Sequence, residues 1–295
     1  MIPLERLQAG LVIPIDKPCQ WTSFQAVNKV KSTIRRLYQV KNIKIGHAGT
    51  LDPLATGLLL VCVGKATKTI ETLQAGDKEY TGTMVLGATT PCFDLERAID
   101  HYYPTSHITD ELVQSTRLQF IGDIQQVPPM YSAVKIAGQR AYTYARKDDP
   151  TAVIEPKTVH ITTFNLKKSE PSNPSDYSDS SEKKYPSDHS EYSAPSEYSE
   201  YSEHSESSDH SEKNTSPHHL YNHPQGVVPQ GLPQYNFHVV CGKGTYIRSL
   251  ARDFGFALES GAFLASLRRE RVGAYHIKGA IQLEDIEDFF LSRQE

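Results

Sequence analysis

The sequence predicts an α+β fold, and three observations support this class. Short apolar runs typical of strands alternate irregularly with amphipathic helical patterns, without the regular alternation of a doubly wound parallel sheet. No glycine-rich phosphate-binding loop separates a strand from a helix. One long segment of low complexity, residues 169–234, interrupts these patterns, and we expect a disordered insertion there. Residues 1–168 and 235–295 would then form a single domain.

In the first part of the chain, residues 22–38 have the pattern of a capped helix. Thr22 or Ser23 can cap it, and its apolar residues fall near one stripe: Phe24, Val27, Val30, Ile34 and Leu37. The apolar run at 58–63 and the alternation at 78–87 predict strands, and residues 66–75 read as a helix that stops at Gly76.

In the rest of the chain, a helix is predicted at 109–119, because Thr109 can cap it and two acidic residues follow in the first turn. Residues 245–258 predict a helix with one apolar face, and residues 283–292 a closing helix. Strands are predicted at 130–136, 153–165, 235–241 and 268–277.

The predicted insertion is acidic and rich in serine. Residues 169–216 hold 17 serines, twelve Asp or Glu and three Lys, with no Leu, Ile, Val or Phe. Such a composition cannot bury enough apolar surface to offset the entropy of ordering the chain. Removing this segment's net charge of −9 from the chain's −4 leaves +5 for the remainder. The tract could serve as a phosphorylation platform, a metal-binding cluster or a tether, or it could have no role.

Several classes of protein are excluded at this level. No run of 18 apolar residues indicates a membrane span, and residues 1–6 lack the pattern of a secretory signal. The four cysteines are scattered, so neither a zinc site nor a disulfide framework is indicated. We therefore expect a cytoplasmic protein.

The loop from Gly46 to Gly57 has the residue types expected of a catalytic loop. It places one histidine, one aspartate, three glycines and one proline directly before the strand predicted at 58–63. Pro53 biases Asp52 toward an extended or turn conformation. Asp52 could equally be a structural turn residue, because Asp before Pro commonly starts a turn.

The order of residues in this loop resembles the catalytic motif of the bacterial tRNA pseudouridine synthase B family. Four further segments resemble motifs of that family, and together the five cover nearly the whole chain outside the insertion. They are 16–23, 46–57, 77–80, 127–135 with 141–146, and 241–250 with 267–269. Gln20 stands where that family usually has glycine.

The resemblance implies an RNA-modifying isomerase with a mixed, largely antiparallel sheet flanked by helices. Such an enzyme converts uridine to pseudouridine in the T arm of tRNA, conventionally at position 55, without a metal or another cofactor. Its partner would be tRNA, and we expect a monomer. That family typically carries a small C-terminal RNA-binding domain, which we do not expect here because only about 20 residues follow Tyr275.

The resemblance also assigns catalytic roles. Asp52 resembles the nucleophile, and Arg248 resembles the arginine that pairs with it and keeps it ionised. Tyr80 resembles the tyrosine that stacks on the target base and accepts a proton late in the reaction. Without the motifs, Arg248 would be read as a helix-surface residue and Tyr80 as a half-buried strand aromatic.

Four further residues are expected to bind the substrate. His47 resembles the histidine that supports the flipped-out RNA loop, and Tyr246 and Leu267 resemble residues beside the uracil. We expect Lys17 to contact phosphate. Each has a simpler reading, since Tyr246 and Leu267 would otherwise be core residues and Lys17 a solvated surface lysine.

Three other functions remain open from the sequence. The protein could act mainly as a chaperone that unfolds and refolds tRNA, or it could modify another RNA. A glycoside hydrolase is a third alternative, although no second acid is marked near Asp52.

Overall fold

A ten-stranded mixed sheet organises the part of the chain that this computed structural model describes, residues 1–132, 134–136, 138–145, 153–169 and 228–292. The strands are β1 (Leu11–Lys17), β2 (Ile45–His47), β3 (Thr56–Val63), β4 (Lys78–Leu86), β5 (Ala88–Thr89), β6 (His101–Tyr102), β7 (Gly122–Gln126), β8 (Lys135–Ile136), β9 (Gln139–Arg140), β10 (Lys157–Lys168), β11 (Gln234–Cys241), β12 (Ala262–Val272), β13 (Tyr275–His276) and β14 (Ile281–Gln282).

Helices cover the sheet and connect its strands. The α-helices are α1 (Leu4–Ala9), α2 (Ser23–Tyr38), α3 (Ile70–Ala75), α4 (Asp110–Thr116), α5 (Ala141–Ala145), α6 (Ile247–Ala257) and α7 (Ile286–Leu291). Short 3₁₀ helices lie at Gly64–Thr69, Arg117–Phe120, Ile277–Gly279 and Leu283–Asp285. No helix among the described residues is both long and apolar enough to cross a bilayer.

The strand order confirms the predicted α+β class. The main sheet runs β14-β1-β3-β12-β4-β11-β10-β7, with β2 paired to β3 and β13 paired to β12. The pairs β1–β14 and β3–β12 are parallel, and the other described pairs of this sheet are antiparallel. The sheet is therefore mixed and largely antiparallel, as expected.

Strand β3 lies at the centre of the core. Its residues from Gly57 to Val63 are all buried, because alternate side chains enter two different apolar clusters. Leu59 and Val61 pack in the larger cluster with residues of α2 and α6, and Leu58 and Leu60 pack on the other face. A continuous apolar run is the pattern expected of a strand covered on both faces.

Helix α2 forms where the sequence predicts it. Thr22 and Gln25 make a capping box, in which the Thr22 hydroxyl accepts from the Gln25 amide at 3.1 Å and the Gln25 side chain accepts from the Thr22 amide at 2.8 Å. Val30 and Ile34 are fully buried, as predicted. Phe24 differs from the prediction, because its side chain is 61% exposed in the first turn.

Three predicted elements have different bounds in the structure. The strand predicted at 130–136 is limited to β8, because residues 130–132 form a bend. The strand predicted at 268–277 begins earlier, at Ala262, and ends before a turn in which Gly273 has φ +55°. The helix predicted at 66–75 begins as 3₁₀ and becomes α-helical only at Ile70.

The predicted insertion 169–234 lies mostly outside the described residues. Its two ends meet in the β10–β11 hairpin, where the Ser169 amide donates to the Gln234 carbonyl at 2.9 Å. Val228 and Leu232 pack against a small buried cluster formed by residues of β4, β5 and β12. The folded domain therefore resumes by Val228, earlier than the predicted boundary.

Candidate active site

The loop that carries Asp52 connects β2 to β3 and is held against the start of α2. The Ser23 hydroxyl accepts from the Leu51 amide at 2.8 Å and donates to the Leu51 carbonyl at 3.1 Å. The Asp52 carbonyl accepts from the Ala55 amide at 3.1 Å and closes a turn. These bonds fix the backbone on both sides of the Asp52 side chain, so its carboxylate has a defined direction.

Asp52 and Arg248 form a two-point ion pair. Nε of Arg248 donates to Oδ2 of Asp52 at 2.9 Å, and Nη2 donates to Oδ1 at 3.0 Å. The Arg248 side chain is only 3% exposed, while that of Asp52 is 35% exposed and open to a ligand. A parallel pair of charge-assisted bonds orients the carboxylate. The structure thus brings together two residues 196 positions apart.

The remaining donors of Arg248 are held by backbone carbonyls. Nη1 donates to the Cys92 carbonyl at 3.1 Å, and Nη2 also donates to the Tyr131 carbonyl at 2.8 Å. Burial works against the charge of Arg248, but Asp52 and Asp94 outweigh it and raise the pKa of Arg248 above its ordinary value. The guanidinium is therefore a permanently charged and immobile group.

Asp94 is a second carboxylate beside Arg248 that sequence reasoning missed. Its Oδ2 lies 3.6 Å from Nε of Arg248, and its side chain is 9% exposed. Burial raises the pKa of Asp94, and the charge of Arg248 opposes that rise. No motif in the sequence marks Asp94, since it lies in the irregular segment between β5 and β6.

An open cleft lies at the ion pair. It is lined by the charged residues Asp52, Asp94 and Arg248 and by a mostly apolar group, Leu54, Ala55, Leu264, Ala265, Ser266 and Leu267. The structure thus places Leu267 in the same cleft as the charged groups.

Tyr246 lies at the N-terminus of α6 and is fixed by Gln126. The Gln126 side chain accepts from the Tyr246 amide at 2.8 Å and donates to the Tyr246 carbonyl at 3.1 Å. One turn further, the Ser249 hydroxyl donates to the Val127 carbonyl at 2.8 Å. These contacts hold the first turn of α6, and with it Arg248, against the end of β7. Tyr246 itself is not among the residues that line the cleft.

His47 directly precedes the loop that carries Asp52, and Tyr80 lies on β4. Tyr80 is 8% exposed, and burial raises the pKa of its phenol, to which the charge of Asp52 adds. It lies in the core cluster and does not line the cleft. His47 ends β2 and is partly exposed, and burial lowers the pKa of its imidazole, which favours the neutral form at neutral pH.

Lys17 is where the structure contradicts the sequence expectation. Its side chain is fully buried, so its ammonium cannot contact an RNA phosphate. Nζ donates instead to three carbonyls, those of Pro18 at 2.9 Å, Trp21 at 2.6 Å and Pro53 at 3.2 Å. Burial lowers the pKa of Lys17 to about 8. Lys17 thus holds the chain directly after Asp52.

Comparisons with known proteins identify the family of this chain. A model of the TruB family pseudouridylate synthase N-terminal domain matches residues 35–185, and a model of the tRNA pseudouridylate synthase B C-terminal domain matches residues 248–295. The chain is similar to tRNA pseudouridine synthase B of Phocaeicola vulgatus, with 41% identity over 97% of this chain and 95% of that one. The chain belongs to the TruB family.

Two further comparisons concern the sequence and the fold of this TruB-family chain. It is 41% identical to tRNA pseudouridine synthase B of Flavobacterium johnsoniae, over 98% of this chain and 99% of that one. Its fold is similar to a chain in the crystal structure of a Cbf5-Nop10-Gar1 complex, with a TM-score of 0.57 and 24% identity, covering 98% of this chain and 56% of that one. At that identity, the second likeness concerns the fold alone.

The segment matched by the TruB C-terminal model is part of the main sheet. Its described residues form α6, β12, β13, β14 and α7, and β12 lies between β3 and β4. It supplies Arg248 and Leu267 to the site. The expectation that no separate RNA-binding domain accompanies this TruB-family domain stays a prediction.

The side chains of this TruB-family site pair with one another. Among the described residues, no group of three or more His, Cys, Asp or Glu side chains is arranged to hold a metal ion. The polar groups of the cleft are occupied by one another, since Arg248 contacts Asp52 and Asp94.

Proposed function

We propose that this TruB-family enzyme isomerises uridine to pseudouridine in the T arm of tRNA, at the conventional position 55, with Asp52 as the nucleophile. The observation that carries the proposal is the two-point pair between Asp52 and Arg248 in the lining of an open, partly apolar cleft. The names of the relatives, tRNA pseudouridine synthase B, support tRNA as the substrate.

The reaction requires an ionised carboxylate that attacks and then leaves. The bond between the ribose and N1 of uracil is broken, the base rotates, and a bond from the ribose to C5 is formed, while C5 loses a proton and N1 gains one. Asp52 is suited to attack either the ribose carbon or the ring, because Arg248 orients its carboxylate and its side chain is open to a ligand. Arg248 is itself held by two carbonyls and does not follow the carboxylate.

The apolar part of the cleft lining is suited to a base that has left the RNA stack. Extruding the base costs unstacking energy, which contacts with a dry pocket can offset. Leu264 and Leu267 offer an apolar surface in the same cleft as Asp52. Tyr80 is the proposed proton acceptor and stacking partner of the base, and Tyr246 a neighbour of the uracil, while His47 supports the opened RNA loop from the partly exposed end of β2.

The proposed partner is the T-arm stem-loop of tRNA, bound by a monomer in the cytoplasm. Outside residues 169–216 the chain carries a net charge of +5, which favours a polyanion. Basic side chains would position the RNA through its phosphates, whereas the shape of the loop and its splayed bases would be recognised.

Asp52→Asn tests the proposal. With a T-arm stem-loop tritiated at uridine C5, we expect the wild type to release tritium and the variant to release none above background. The variant should bind the stem-loop with wild-type affinity, since the amide keeps the shape of the side chain.

Asp253→Asn is the matched control, because this aspartate pairs with Arg252 on the same helix as Arg248, outside the cleft. It should release tritium at the wild-type rate. Tritium release by Asp52→Asn would exclude Asp52 as the nucleophile. A variant that makes no pseudouridine but still refolds tRNA would show that the chaperone activity is separate from the isomerase activity.

A further inference from the structure

Arg269 is a second buried arginine next to the catalytic loop, and its contacts differ from those of Arg248. Its side chain is 1% exposed. Nε donates to the Leu58 carbonyl at 2.7 Å, Nη2 to the Gly49 carbonyl at 3.0 Å, and Nη1 to the Thr50 carbonyl at 3.4 Å. No carboxylate pairs with Arg269 within the described part of the chain.

A buried guanidinium without an acidic partner is unfavourable for stability alone. Removing a cation from water costs several kcal/mol, and an apolar residue of similar volume usually packs at least as well. Here neutral carbonyl dipoles are the compensation, and all three belong to the loop around Asp52 or to the strand that follows it. The contacts are therefore better explained by a role in holding this loop than by packing of the core.

The backbone of Arg269 is also fixed relative to this loop. Arg269 pairs with Gly57 across the parallel strands β3 and β12. A Cβ atom at Gly57, where φ is +98°, would lie 2.3 Å from the Arg269 carbonyl oxygen. The glycine at the end of the motif thus permits a close approach that places the guanidinium beneath Gly49 and Thr50.

Arg269 contacts the site on a second side, through Tyr80. The two residues face each other across strands β4 and β12. Burial raises the pKa of Tyr80, and the charge and hydrogen bond of Arg269 oppose that rise. The loop is thus held by Arg269 before Asp52 and by Lys17 after it, through the Pro53 carbonyl.

We propose that Arg269 is a positioning residue for the isomerisation, which holds the Gly49–Thr50 backbone and the Tyr80 side chain so that Asp52 meets both Arg248 and the flipped base. This inference rests on the proposed function. It predicts that loss of Arg269 slows the chemical step and leaves RNA binding in place, because the guanidinium is buried and its donors are used by backbone carbonyls.

Arg269→Met and Arg269→Lys test the proposal. Displacing a catalytic group by about 1 Å can cost about 100-fold in rate. We expect the single-turnover rate at saturating stem-loop to fall about 100-fold in Arg269→Met, with the stem-loop Kd within threefold of wild type. Arg269→Lys keeps the charge but cannot donate to all three carbonyls in the same geometry. We expect its single-turnover rate to fall about tenfold.

Arg271→Met is the control, since Arg271 lies on the same strand and its contacts are with Glu79 and Gly273 instead of the loop. It should keep the wild-type single-turnover rate. Fluorescence of Trp21, the single tryptophan, reports whether each variant is folded. If Arg269→Met does not fold, Arg269→Lys carries the test.

A folded Arg269→Met, or failing that Arg269→Lys, with a rate within threefold of wild type would overturn the proposal. So would a loss of rate that is matched by the loss of RNA affinity. A wild type that forms no pseudouridine would instead overturn the proposed function, so the two failures are distinguishable.

Discussion

The chemistry of this site depends on how Arg248 is held. It makes four hydrogen bonds, two to Asp52 and two to backbone carbonyls, with Asp94 close by, so the guanidinium has little freedom to move. Two carboxyl groups, those of Asp52 and Asp94, lie beside this one buried guanidinium. Such a group is sensitive to any change in the arginine's geometry.

Arg248→Lys is expected to lower the single-turnover rate at least 100-fold at neutral pH. A lysine keeps the charge but cannot make two parallel bonds to Asp52 while it also holds the Cys92 and Tyr131 carbonyls. The measurement is single-turnover pseudouridine formation with saturating stem-loop. Arg252→Lys, on the same helix, should remain within threefold of wild type. Equal rates for Arg248→Lys and wild type would contradict the role given to the fork.

The lowered pKa of the single residue Lys17 makes the stability of the protein depend on pH. Its pKa is about 8 in the folded protein and 10.5 in the unfolded chain, so between these values the unfolded state binds more protons. Stability contributed by this group must therefore rise with pH in that window and stay constant below it. In urea unfolding, the unfolding free energy of wild type minus that of Lys17→Met should rise with pH from about pH 8. A difference independent of pH would contradict the assignment.

At the scale of elements, α6 is the part that delivers Arg248 to the site. Gln126 holds the helix start through both backbone groups of Tyr246. Gln126→Leu should destabilise the protein by about 1–3 kcal/mol, because buried backbone groups lose their partner. It should also lower the isomerisation rate about tenfold, since Arg248 lies two residues further on.

Gln125→Leu is the control for that change. Gln125 is exposed on the same strand and contacts Thr158, away from α6. Both effects should be absent in it, as measured by urea unfolding and single-turnover rates. A Gln126→Leu protein with normal stability and rate would show that α6 is held by other contacts.

The predictability of each element followed the strength of its local signals. Helix α2 has a cap and a regular apolar stripe, and β3 has a continuous apolar run, so both formed as predicted. Strand β1 was not predicted, because Pro14 interrupts its short apolar run. The bounds of β12 were missed, since its two irregularities at Leu264/Ser266 and Arg269/Arg271 break the alternation that marks a strand.

The site was only partly predictable for a related reason. Asp52 and Arg248 lie in family motifs, and the structure places them together as the resemblance implied. The family motifs assign no role to Asp94 or Gln126. The Cys92 and Tyr131 carbonyls belong to the backbone, so no residue type in the sequence marks them. The direction of Lys17 could not be read from sequence either, because burial depends on the tertiary arrangement of three carbonyls.

For the whole molecule, we expect the predicted insertion to be the feature that least affects the site. It leaves and rejoins the sheet at the β10–β11 hairpin, where Ser169 and Gln234 are hydrogen-bonded neighbours. The loop that carries Asp52 leads into β3. In the sheet, β12 and β4 separate β3 from β11 and β10. Surface hairpins tolerate long insertions at small entropic cost.

Replacing residues 170–227 with a short Gly/Ser linker should therefore leave the isomerisation rate near that of wild type. At low salt the shortened protein should bind RNA slightly more tightly, because the acidic tract no longer repels phosphate. Steady-state kinetics and stem-loop binding at two salt concentrations provide the check. A loss of more than tenfold in rate, about 1.4 kcal/mol of barrier, would show that the tract contributes to catalysis.

The central claim is that Asp52 makes pseudouridine in the T arm of tRNA, and mapping the modification in cells tests it most directly. Pseudouridines would be mapped in tRNA and ribosomal RNA from cells that lack this protein, and again after complementation with wild type or Asp52→Asn. We predict that T-arm position 55 loses its pseudouridine, that wild type restores it, and that Asp52→Asn does not. A T arm that stays modified without the protein, or is restored by Asp52→Asn, would contradict the account.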